Sequence, residues 1–189
     1  MMPGISLNDI AQANNAALLA GSSDASDICI SGVSIDSRTT QPGDVFVALP
    51  GERVDGHAYI DAAMDRGAQL AVVEQQSDCS IAQIIVDDSR SALAAIAELN
   101  RDKFEGPVVA VTGSAGKTTC KNMIAELLAG HYSVCATQGN LNNELGVPLT
   151  VSRLSSDHSA AVIEMGAAQR GDIDYLTTIA KPAISVLTN

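Results

Sequence analysis

Short apolar runs alternate with amphipathic segments along most of the chain. Apolar, β-rich runs predict strands at 28–36 (a strand or a hairpin), 45–49, 70–74, 83–88, 108–112, 132–136, 160–163 and 183–188. Apolar residues at helical spacing predict helices at 58–67, from 89 to about 104, and at 117–129, 148–154 and 172–180. Strands that alternate with helices in this way predict an α/β fold with a mostly parallel sheet and helices on both faces.

The helix predicted at 117–129 follows a glycine-rich loop directly. Its apolar side chains are expected to share one face, formed by Met123, Ile124, Leu127 and Leu128. Gly130 is expected to end the helix, because glycine is common just after the last helical turn.

The best candidate for a domain boundary is the segment "EGP" at 105–107, which follows a predicted helix and precedes a new strand. We therefore expect one α/β domain over residues 1–105 and a second one over residues 106–189. The sequence stops at Asn189, directly after a predicted strand. Since ligands gather at the carboxyl ends of strands in open α/β sheets, we expect the chain to be part of a longer protein.

The net charge of the chain is −11 and its pI is about 4.4, which argues against a general surface for nucleic acids or anionic membranes. A phosphate site remains compatible with this charge, because it depends on local backbone N–H groups and one or two cations. Neither a signal-peptide pattern nor an apolar run long enough to span a membrane is present. The four cysteines are scattered without a C-x-x-C pair, so we expect reduced thiols in a cytoplasmic protein.

The stretch "TGSAGKTT" at 112–119 is a variant of the phosphate-binding loop, whose usual pattern is G-x-x-x-x-G-K-[ST]. Val111 occupies the position of the first glycine, and Gly113 lies three residues before Gly116 instead. A glycine turn with a surface lysine is the plain alternative, but an apolar strand before the loop and a helix after it favour a nucleotide site. The candidate binding residues are Gly113, Ser114, Ala115, Gly116, Lys117, Thr118 and Thr119. Lys117 can reach the β- and γ-phosphates, and the hydroxyl of Thr118 can bind Mg²⁺.

Glu164 follows the apolar strand at 160–163, in the same predicted sheet as the loop. A carboxylate at the carboxyl end of such a strand can hold Mg²⁺ directly or through water. It can equally well accept hydrogen bonds from the N–H groups of its own loop. The residues alone do not decide between these two roles.

Three stretches resemble the Mur ligase superfamily, which includes the folylpolyglutamate synthetases. "TGSAGKTT" is similar to the nucleotide loop of that superfamily, and residues 34–68, "SIDSRTTQPGDVFVALPGERVDGHAYIDAAMDRGA", resemble the N-terminal domain of ligases that extend the peptide of UDP-N-acetylmuramic acid. "TQGNLNNELGVPLT" at 137–150 resembles the branch that adds D-alanyl-D-alanine to a UDP-N-acetylmuramoyl tripeptide. The enzyme that adds the third amino acid shares the first segments but differs after the loop. The resemblance extends from about Ser34 to Asn189.

The resemblance implies an ATP-dependent ligase of peptidoglycan precursor synthesis that uses Mg²⁺. In the implied reaction, ATP phosphorylates the terminal carboxylate of the tripeptide with release of ADP, and the amine of D-alanyl-D-alanine then attacks the acyl phosphate, which forms the amide and releases phosphate. Lys117 is the implied catalytic residue, and Thr118 and Glu164 are the implied metal ligands. The fold implied is a small N-terminal α/β UDP-precursor-binding domain (1–105), followed by the first part of a central P-loop ATPase domain with a mostly parallel sheet (106–189). The full-length enzyme is expected to be a cytoplasmic monomer without nucleic-acid partners or membrane insertion.

The resemblance also implies residues for the UDP-linked substrate. Ser37 and Arg38 match the "DSR" segment of the family, and Thr137, Asn140 and Asn143 match the substrate side of the cleft. The loop near the uracil is matched by Glu52, Arg53 and Val54. Alternatives stay open: the asparagines can stabilise turns, Arg38 can pair with Asp36 or Asp44, and Asp55 and His57 can order their loop.

In this family, the remainder of the central domain supplies a further metal-binding histidine, a carbamylated lysine and contacts to adenine, and a third domain closes over ATP. We therefore expect that the chain alone does not complete the ligase reaction. Two other functions are compatible with the sequence: a non-catalytic fragment that binds the UDP precursor, and a small P-loop kinase. The long segment before the loop fits the kinase poorly.

Overall fold

The computed structural model describes residues 4–16, 18–19, 30–51 and 54–189, and for 18–19 the backbone only. The chain forms two compact units, Met1–Leu99 and Asn100–Asn189. None of the described helices has the length and the apolar character that a membrane span needs. The cysteines of the described part, Cys79, Cys120 and Cys135, are free thiols.

The first unit contains a five-stranded, mostly parallel sheet. Its strands are β1 (Leu18–Leu19), β2 (Gly32–Ser34), β3 (Asp44–Val47), β4 (Leu70–Val73) and β5 (Ala82–Ile85). They lie in the order β1-β5-β4-β3-β2, in which β1 pairs antiparallel with β5 and the other neighbours are parallel. The predicted strand at 28–36 is thus confirmed only over its central part, and residues 28–29 lie outside the described residues.

The described residues of this unit also form three α-helices, α1 (Leu7–Ala13), α2 (Ile60–Asp65) and α3 (Ser89–Asp102), and the chain continues from α3 into the second unit. The predicted helix at 58–67 begins as a 3-10 turn, Gly56–Tyr59, in which the side chain of Asp55 accepts the backbone N–H of His57. Ile60 and Ala63 of α2 are buried against Phe46 of β3. All positions of β3 and β4 are buried, which is typical of parallel strands covered on both faces.

The second unit has a parallel sheet of four strands in the order β7-β8-β6-β9. The strands are β6 (Val108–Gly113), β7 (Val134–Ala136), β8 (Ala160–Glu164) and β9 (Ile184–Thr188), and the helices are α4 (Lys117–Ala129), α5 (Gly146–Val151) and α6 (Asp172–Ala180). The two units together confirm the predicted α/β class with mostly parallel sheets. At the edge of the second sheet, Ile184 and Leu187 of β9 are 55% and 77% exposed.

The orientation of α4 differs from the prediction. Ile124 and Leu128 are half-buried, as expected, but Met123 and Leu127 are 62% and 75% exposed. The helix instead turns Lys121 inward, and this side chain is buried. The helix packs on the sheet along the side that contains Lys121, Ile124 and Leu128, and Met123 and Leu127 form an adjacent apolar stripe that is exposed.

Arg101 at the end of α3 holds the carboxyl end of α6. Its guanidinium donates to the carbonyl oxygens of Ala180 at 2.7 Å, Lys181 at 2.9 Å and Phe104 at 2.9 Å. We expect Arg101→Ala to lower the free energy of unfolding by about 2 kcal/mol, because a charged donor is lost and the partly buried carbonyl groups of Ala180 and Phe104 lose a partner. Urea denaturation of the full chain measures this change.

Arg101→Lys should not restore the stability, because one ammonium group cannot reach three separate carbonyl groups as the planar guanidinium does. The matched control is Arg153→Ala, which removes an exposed arginine of the same unit and should change the free energy by less than about 0.5 kcal/mol. Equal effects of the alanine substitutions at 101 and 153 would contradict this role of Arg101.

Candidate nucleotide and metal site

The loop between β6 and α4 has the backbone form of an anion site. Gly116 is the N-cap residue of α4 with φ of 78°, and no side chain accepts a hydrogen bond from the first turn of the helix. The first N–H groups of an α-helix have no partner inside the helix, and the helix dipole adds partial positive charge there. The amino end of α4 is therefore suited to phosphate oxygens.

The loop is braced from one side by the end of β9. Ser114 donates to the backbone oxygen of Asn189 through both its N–H and its hydroxyl, each at 3.0 Å. The hydroxyl of Thr188 lies 3.0 Å from the backbone oxygen of Thr112 and 2.7 Å from that of Ala115. These contacts tie the loop to the neighbouring strand, so its shape does not depend on a ligand alone.

Lys117 folds back over the loop, and its Nζ donates to the backbone oxygen of Gly113 at 2.8 Å. Gly113 and Lys117 are half-buried, whereas the other predicted nucleotide-binding residues are exposed: Ser114, Ala115, Gly116, Thr118 and Thr119. The seven predicted residues thus run from the end of β6 through the loop into the first turn of α4, and most of them have an accessible surface. An ammonium group placed over the loop backbone can exchange its carbonyl acceptor for a phosphate oxygen.

Glu164 ends β8, directly opposite Val111 on the neighbouring strand β6. The residue is 2% exposed, and its Oε1 accepts a hydrogen bond from Nδ2 of Asn142 at 2.8 Å. Its other carboxylate oxygen, Oε2, is buried and has no hydrogen-bond partner among the described residues. In the predicted alternative, backbone N–H groups of the loop donate to the carboxylate of Glu164. The observed hydrogen bond does not match it, because the donor is the side-chain amide of Asn142.

A buried carboxylate oxygen without a partner fits a hard cation such as Mg²⁺. Mg²⁺ is usually bound by one or two carboxylates together with waters and substrate phosphates. In the described residues, no group of three or more His, Cys, Asp or Glu side chains is placed to hold a metal ion. Glu164 and the exposed hydroxyl of Thr118 are therefore a donor set of the kind that needs nucleotide phosphates to complete it.

The predicted substrate residues of the second unit lie at the end of β7 and in the loop after it. Thr137 is buried, and its hydroxyl accepts the N–H of Glu164 at 2.9 Å. Asn140 is exposed. Oδ1 of Asn143 accepts the N–H of Gly146 at 2.9 Å at the start of α5, so this side chain stabilises a turn. That contact matches the alternative role that the sequence left open for the asparagines.

Two polar residues of this region were missed by the sequence analysis, Lys121 and Asn142. Asn142 lies between the two predicted asparagines and is the one that contacts Glu164. Lys121 comes one helical turn after Lys117, and its Nζ donates to the backbone oxygen of Thr137 at 2.8 Å. The sequence could have indicated Lys121 through its spacing of four residues from Lys117, since residues four apart lie on the same face of a helix.

In the first unit, Arg38 pairs with Asp36 and not with Asp44. Nη2 of Arg38 lies 2.6 Å from Oδ2 of Asp36, and the arginine side chain is 85% exposed. The neighbouring Ser37 is buried, and Val54 is 61% exposed on its loop. The other two predicted residues near the uracil, Glu52 and Arg53, lie outside the described residues.

Asp55 and His57 order the loop around them. Nδ1 of His57 contacts Oδ1 of Asp55 at 2.7 Å, and Nε2 of His57 accepts the N–H of Glu74 at 3.0 Å. Since Nε2 is an acceptor, the proton of a neutral imidazole lies on Nδ1, facing the carboxylate. This arrangement matches the predicted ordering role and ties the loop to the end of β4.

The hydrogen bonds from the side chain and the N–H of Arg38 lower the pKa of Asp36 from 3.8 to about 2. Because the folded-state pKa is depressed, the pair stabilises the fold above about pH 4, and this contribution is lost as the pH falls through about 2. We expect Arg38→Ala to move the pKa of Asp36 back towards 3.8, as measured by NMR titration of its carboxyl carbon. Arg66→Ala, at an exposed arginine of the same unit, is the control and should leave the titration unchanged. An unchanged pKa in Arg38→Ala would show that the pair does not form in solution.

Comparison with known protein families places both units in one family. Residues 29–102 match the model of the Mur ligase family, catalytic domain, and residues 111–189 match that of the Mur ligase middle domain. The two matches lie on either side of the segment that was expected to separate the domains.

Individual relatives extend this match over nearly the whole chain. A UDP-N-acetylmuramoyl-tripeptide–D-alanyl-D-alanine ligase of Synechocystis sp. is 40% identical, over 98% of this chain and 41% of the relative. A crystal structure of MurF from Acinetobacter baumannii superposes with a TM-score of 0.86 and 36% identity, covering 98% of this chain and 41% of that one. MurF from Thermotoga maritima in complex with ADP gives a TM-score of 0.73 and 40% identity, covering 82% and 36%.

The chain spans about two fifths of the length of these relatives. The matched ranges include the glycine-lysine loop from Val111 onward, Glu164 and the "DSR" segment of the first unit. The resemblance that the motifs indicated is thereby confirmed, and the chain belongs to the Mur ligase family.

Proposed function

We propose that the chain is part of an ATP-dependent ligase that adds D-alanyl-D-alanine to a UDP-N-acetylmuramoyl tripeptide, a step of peptidoglycan precursor synthesis. In this proposal residues 1–105 bind the UDP-linked precursor, and residues 106–189 form the first part of the ATP-binding domain. The relatives that bear this activity in their names are 40% and 39% identical over 98% and 91% of this chain. ATP and a UDP-linked precursor are cytoplasmic metabolites, which places the reaction in the cytoplasm.

The observation that carries the proposal is the position of Glu164 relative to the loop. Both lie at the carboxyl ends of β6 and β8, which are adjacent parallel strands. The carboxylate oxygen that has no partner in the described part of the chain is buried at the end of the sheet where the loop places its phosphate-binding surface. A nucleotide with its metal ion would supply the charge that this carboxylate lacks.

Different residues of the second unit have different roles in phosphate transfer. The uncapped N–H groups at the start of α4, in the 113–119 segment, bind the phosphates of ATP, and Lys117 stabilises the charge that develops on the transferred phosphoryl group. Thr118 and Glu164 would hold Mg²⁺, which when bound would neutralise charge on the phosphate oxygens. In this proposal the exposed Asn140 contacts the peptide of the substrate, and Thr137 and Asn143 shape the surrounding segment through their bonds to Glu164 and Gly146.

The residues of the first unit bind the UDP moiety in this proposal. Ser37 and Arg38 contact the pyrophosphate, and Glu52, Arg53 and Val54 contact the uracil. The exposed position of Arg38 supports this role, because its guanidinium can leave Asp36 for a phosphate at low cost. Binding of the precursor should then raise the pKa of Asp36 above its value of about 2 in the free chain.

The proposal is tested by calorimetric titration of the full chain with UDP-N-acetylmuramoyl tripeptide. UMP, the corresponding UDP-N-acetylmuramoyl dipeptide and MgATP are titrated in parallel. Tripeptide precursor bound more tightly than both UMP and the dipeptide precursor is the expected result, together with binding of MgATP. A preference for the dipeptide precursor would show that the chain belongs to the ligase of the neighbouring step, in which the third amino acid is added.

Two further outcomes would contradict the proposal in part. Binding of MgATP without binding of any UDP-linked compound by the folded chain would reject the assignment of the first unit. Phosphate transfer from ATP to a small metabolite, with indifference to UDP-linked compounds, would identify a P-loop kinase instead.

A further inference from the structure

Lys121 carries a buried positive charge on the inner face of α4. The residue is 5% exposed, and the bond to the backbone oxygen of Thr137 is formed by its Nζ at 2.8 Å. Among the described residues, no carboxylate forms an ion pair with this ammonium group. Burial of an ammonium group without a counter-ion is unfavourable, so its position beside the nucleotide loop indicates a specific task.

Thr137 connects this lysine to the predicted metal ligand. Its backbone oxygen accepts from Lys121, and its hydroxyl accepts the N–H of Glu164 at 2.9 Å. Its own N–H donates to the backbone oxygen of Val162 in β8 at 3.1 Å. The end of β7 is thus fixed between α4 and β8, and the backbone of Glu164 is fixed by the end of β7.

We infer that Lys121 is a positioning residue for the carboxylate that holds Mg²⁺. Its bond to Thr137 holds the hydroxyl that anchors the backbone of Glu164, while Asn142 orients the carboxylate from the other side. The inference rests on the proposed function, since it takes Glu164 as a ligand of the metal bound with nucleotide. Residues that orient a metal ligand contribute strongly to metal affinity although they do not contact the ion.

Because Lys121 is charged, the direction in which its replacement changes the affinity for Mg²⁺ is informative. A positive charge near a cation site repels Mg²⁺, so removal of the charge alone should allow Mg²⁺ to bind more tightly. Removal of the bond to Thr137 should have the opposite effect, because Glu164 loses its support. A variant that lacks the charge and also lacks the bond to Thr137 therefore shows which is larger, the repulsion of Mg²⁺ by the charge or the support of Glu164 by the bond.

The test uses the full chain with ADP and Mg²⁺ as the probes. ADP binding is measured by calorimetry in EDTA and at increasing Mg²⁺, which gives the Mg²⁺ concentration for half of the metal-dependent gain in affinity. Lys121→Met should raise this concentration about tenfold or more, which is the usual range for residues that support a metal ligand. ADP binding in EDTA should stay unchanged, and Lys121→Arg, which keeps both the charge and a donor, should stay near the wild type.

Lys181→Met is the matched control. This lysine lies in the same unit, is partly exposed and pairs with Asp102, so its removal should leave the Mg²⁺ dependence unchanged. An unchanged Mg²⁺ dependence in a folded Lys121→Met chain would show a merely structural role and overturn the inference. A lower Mg²⁺ requirement would also overturn it, because charge repulsion would then be the larger effect.

If the Lys121→Met chain does not fold, a second variant and a second measurement test the inference. In Lys121→Gln the side chain stays polar but is one atom shorter than the reach that the bond to Thr137 requires. Hydrogen exchange of the Glu164 amide, whose acceptor is the Thr137 hydroxyl, should become faster in this variant, and unchanged exchange would overturn the inference. A folded wild-type chain that does not bind ADP, with or without Mg²⁺, would instead reject the nucleotide site itself, and the inference with it.

Discussion

Replacement of Gly113 by alanine is expected to destabilise the second unit by about 3 kcal/mol or more, because a strained backbone and a steric clash act together. Gly113 has φ of 138°, a conformation that residues with a side chain rarely adopt. A Cβ atom at this position would lie 1.8 Å from the backbone oxygen of Thr188. The loop and β9 must therefore separate, and nucleotide binding should weaken with them. Urea denaturation and ADP titration of the full chain measure the two effects.

Gly171→Ala is the matched control for this prediction. Gly171 also precedes a helix and has φ of 100°, but a Cβ atom there would meet no atom within 4 Å. The control should therefore show only the backbone strain, about 1–2 kcal/mol, and retain nucleotide binding. Similar losses of stability in both variants would mean that the close approach of Thr188 does not restrict the loop.

Glu164→Gln should remove most of the contribution of Mg²⁺ to nucleotide binding. A carboxylate ligand contributes several kcal/mol to the stabilisation of charge around a bound metal, so we expect about a 100-fold loss of the metal-dependent affinity for ADP. The glutamine has nearly the same shape, and its Oε1 can still accept the bond from Asn142, so the chain should stay folded. Calorimetry with ADP in EDTA and in saturating Mg²⁺ separates the metal-dependent part from the rest.

Glu105→Gln provides the corresponding control. Glu105 is an exposed carboxylate that precedes β6, at the amino end of the parallel strands and thus away from the loop. Its substitution should leave both binding measurements unchanged. If Glu164→Gln binds ADP with the same Mg²⁺ dependence as the wild type, Glu164 is not a metal ligand, and its burial serves only the fold.

The nucleotide loop could be found in the sequence because its chemistry is local. An apolar strand, two glycines, a lysine and a helix follow one another within one short stretch, and the predicted bounds of α4 agree with the structure. The same holds for α6, which is bounded by Gly171 and by the Lys181–Pro182 pair. Periodicity and the conformational preferences of glycine and proline act over a few residues, so they can be read without tertiary contacts.

The contacts around Glu164 could not be found in this way. Asn142 and Thr137 lie 22 and 27 residues away from Glu164 in the chain, and their contacts arise only where β7 and β8 pair. The sequence showed several polar residues in one loop but did not indicate which of them reaches the carboxylate. Similarly, Arg38 had two acidic neighbours, and the turn that places Asp36 beside it decided the pair.

The sequence by itself determined the α/β class, the loop at 112–119, the strand that ends in Glu164 and the resemblance to the Mur ligases. These features depend on residue types at short, regular spacing. Only the tertiary structure decided which side of α4 faces the sheet, with Lys121 buried and with Met123 and Leu127 exposed. It also decided that one carboxylate oxygen of Glu164 has no partner among the described residues. The physical reason is that packing selects between two adjacent apolar stripes by the shape and polar groups of the opposing strands, and these come from distant parts of the chain.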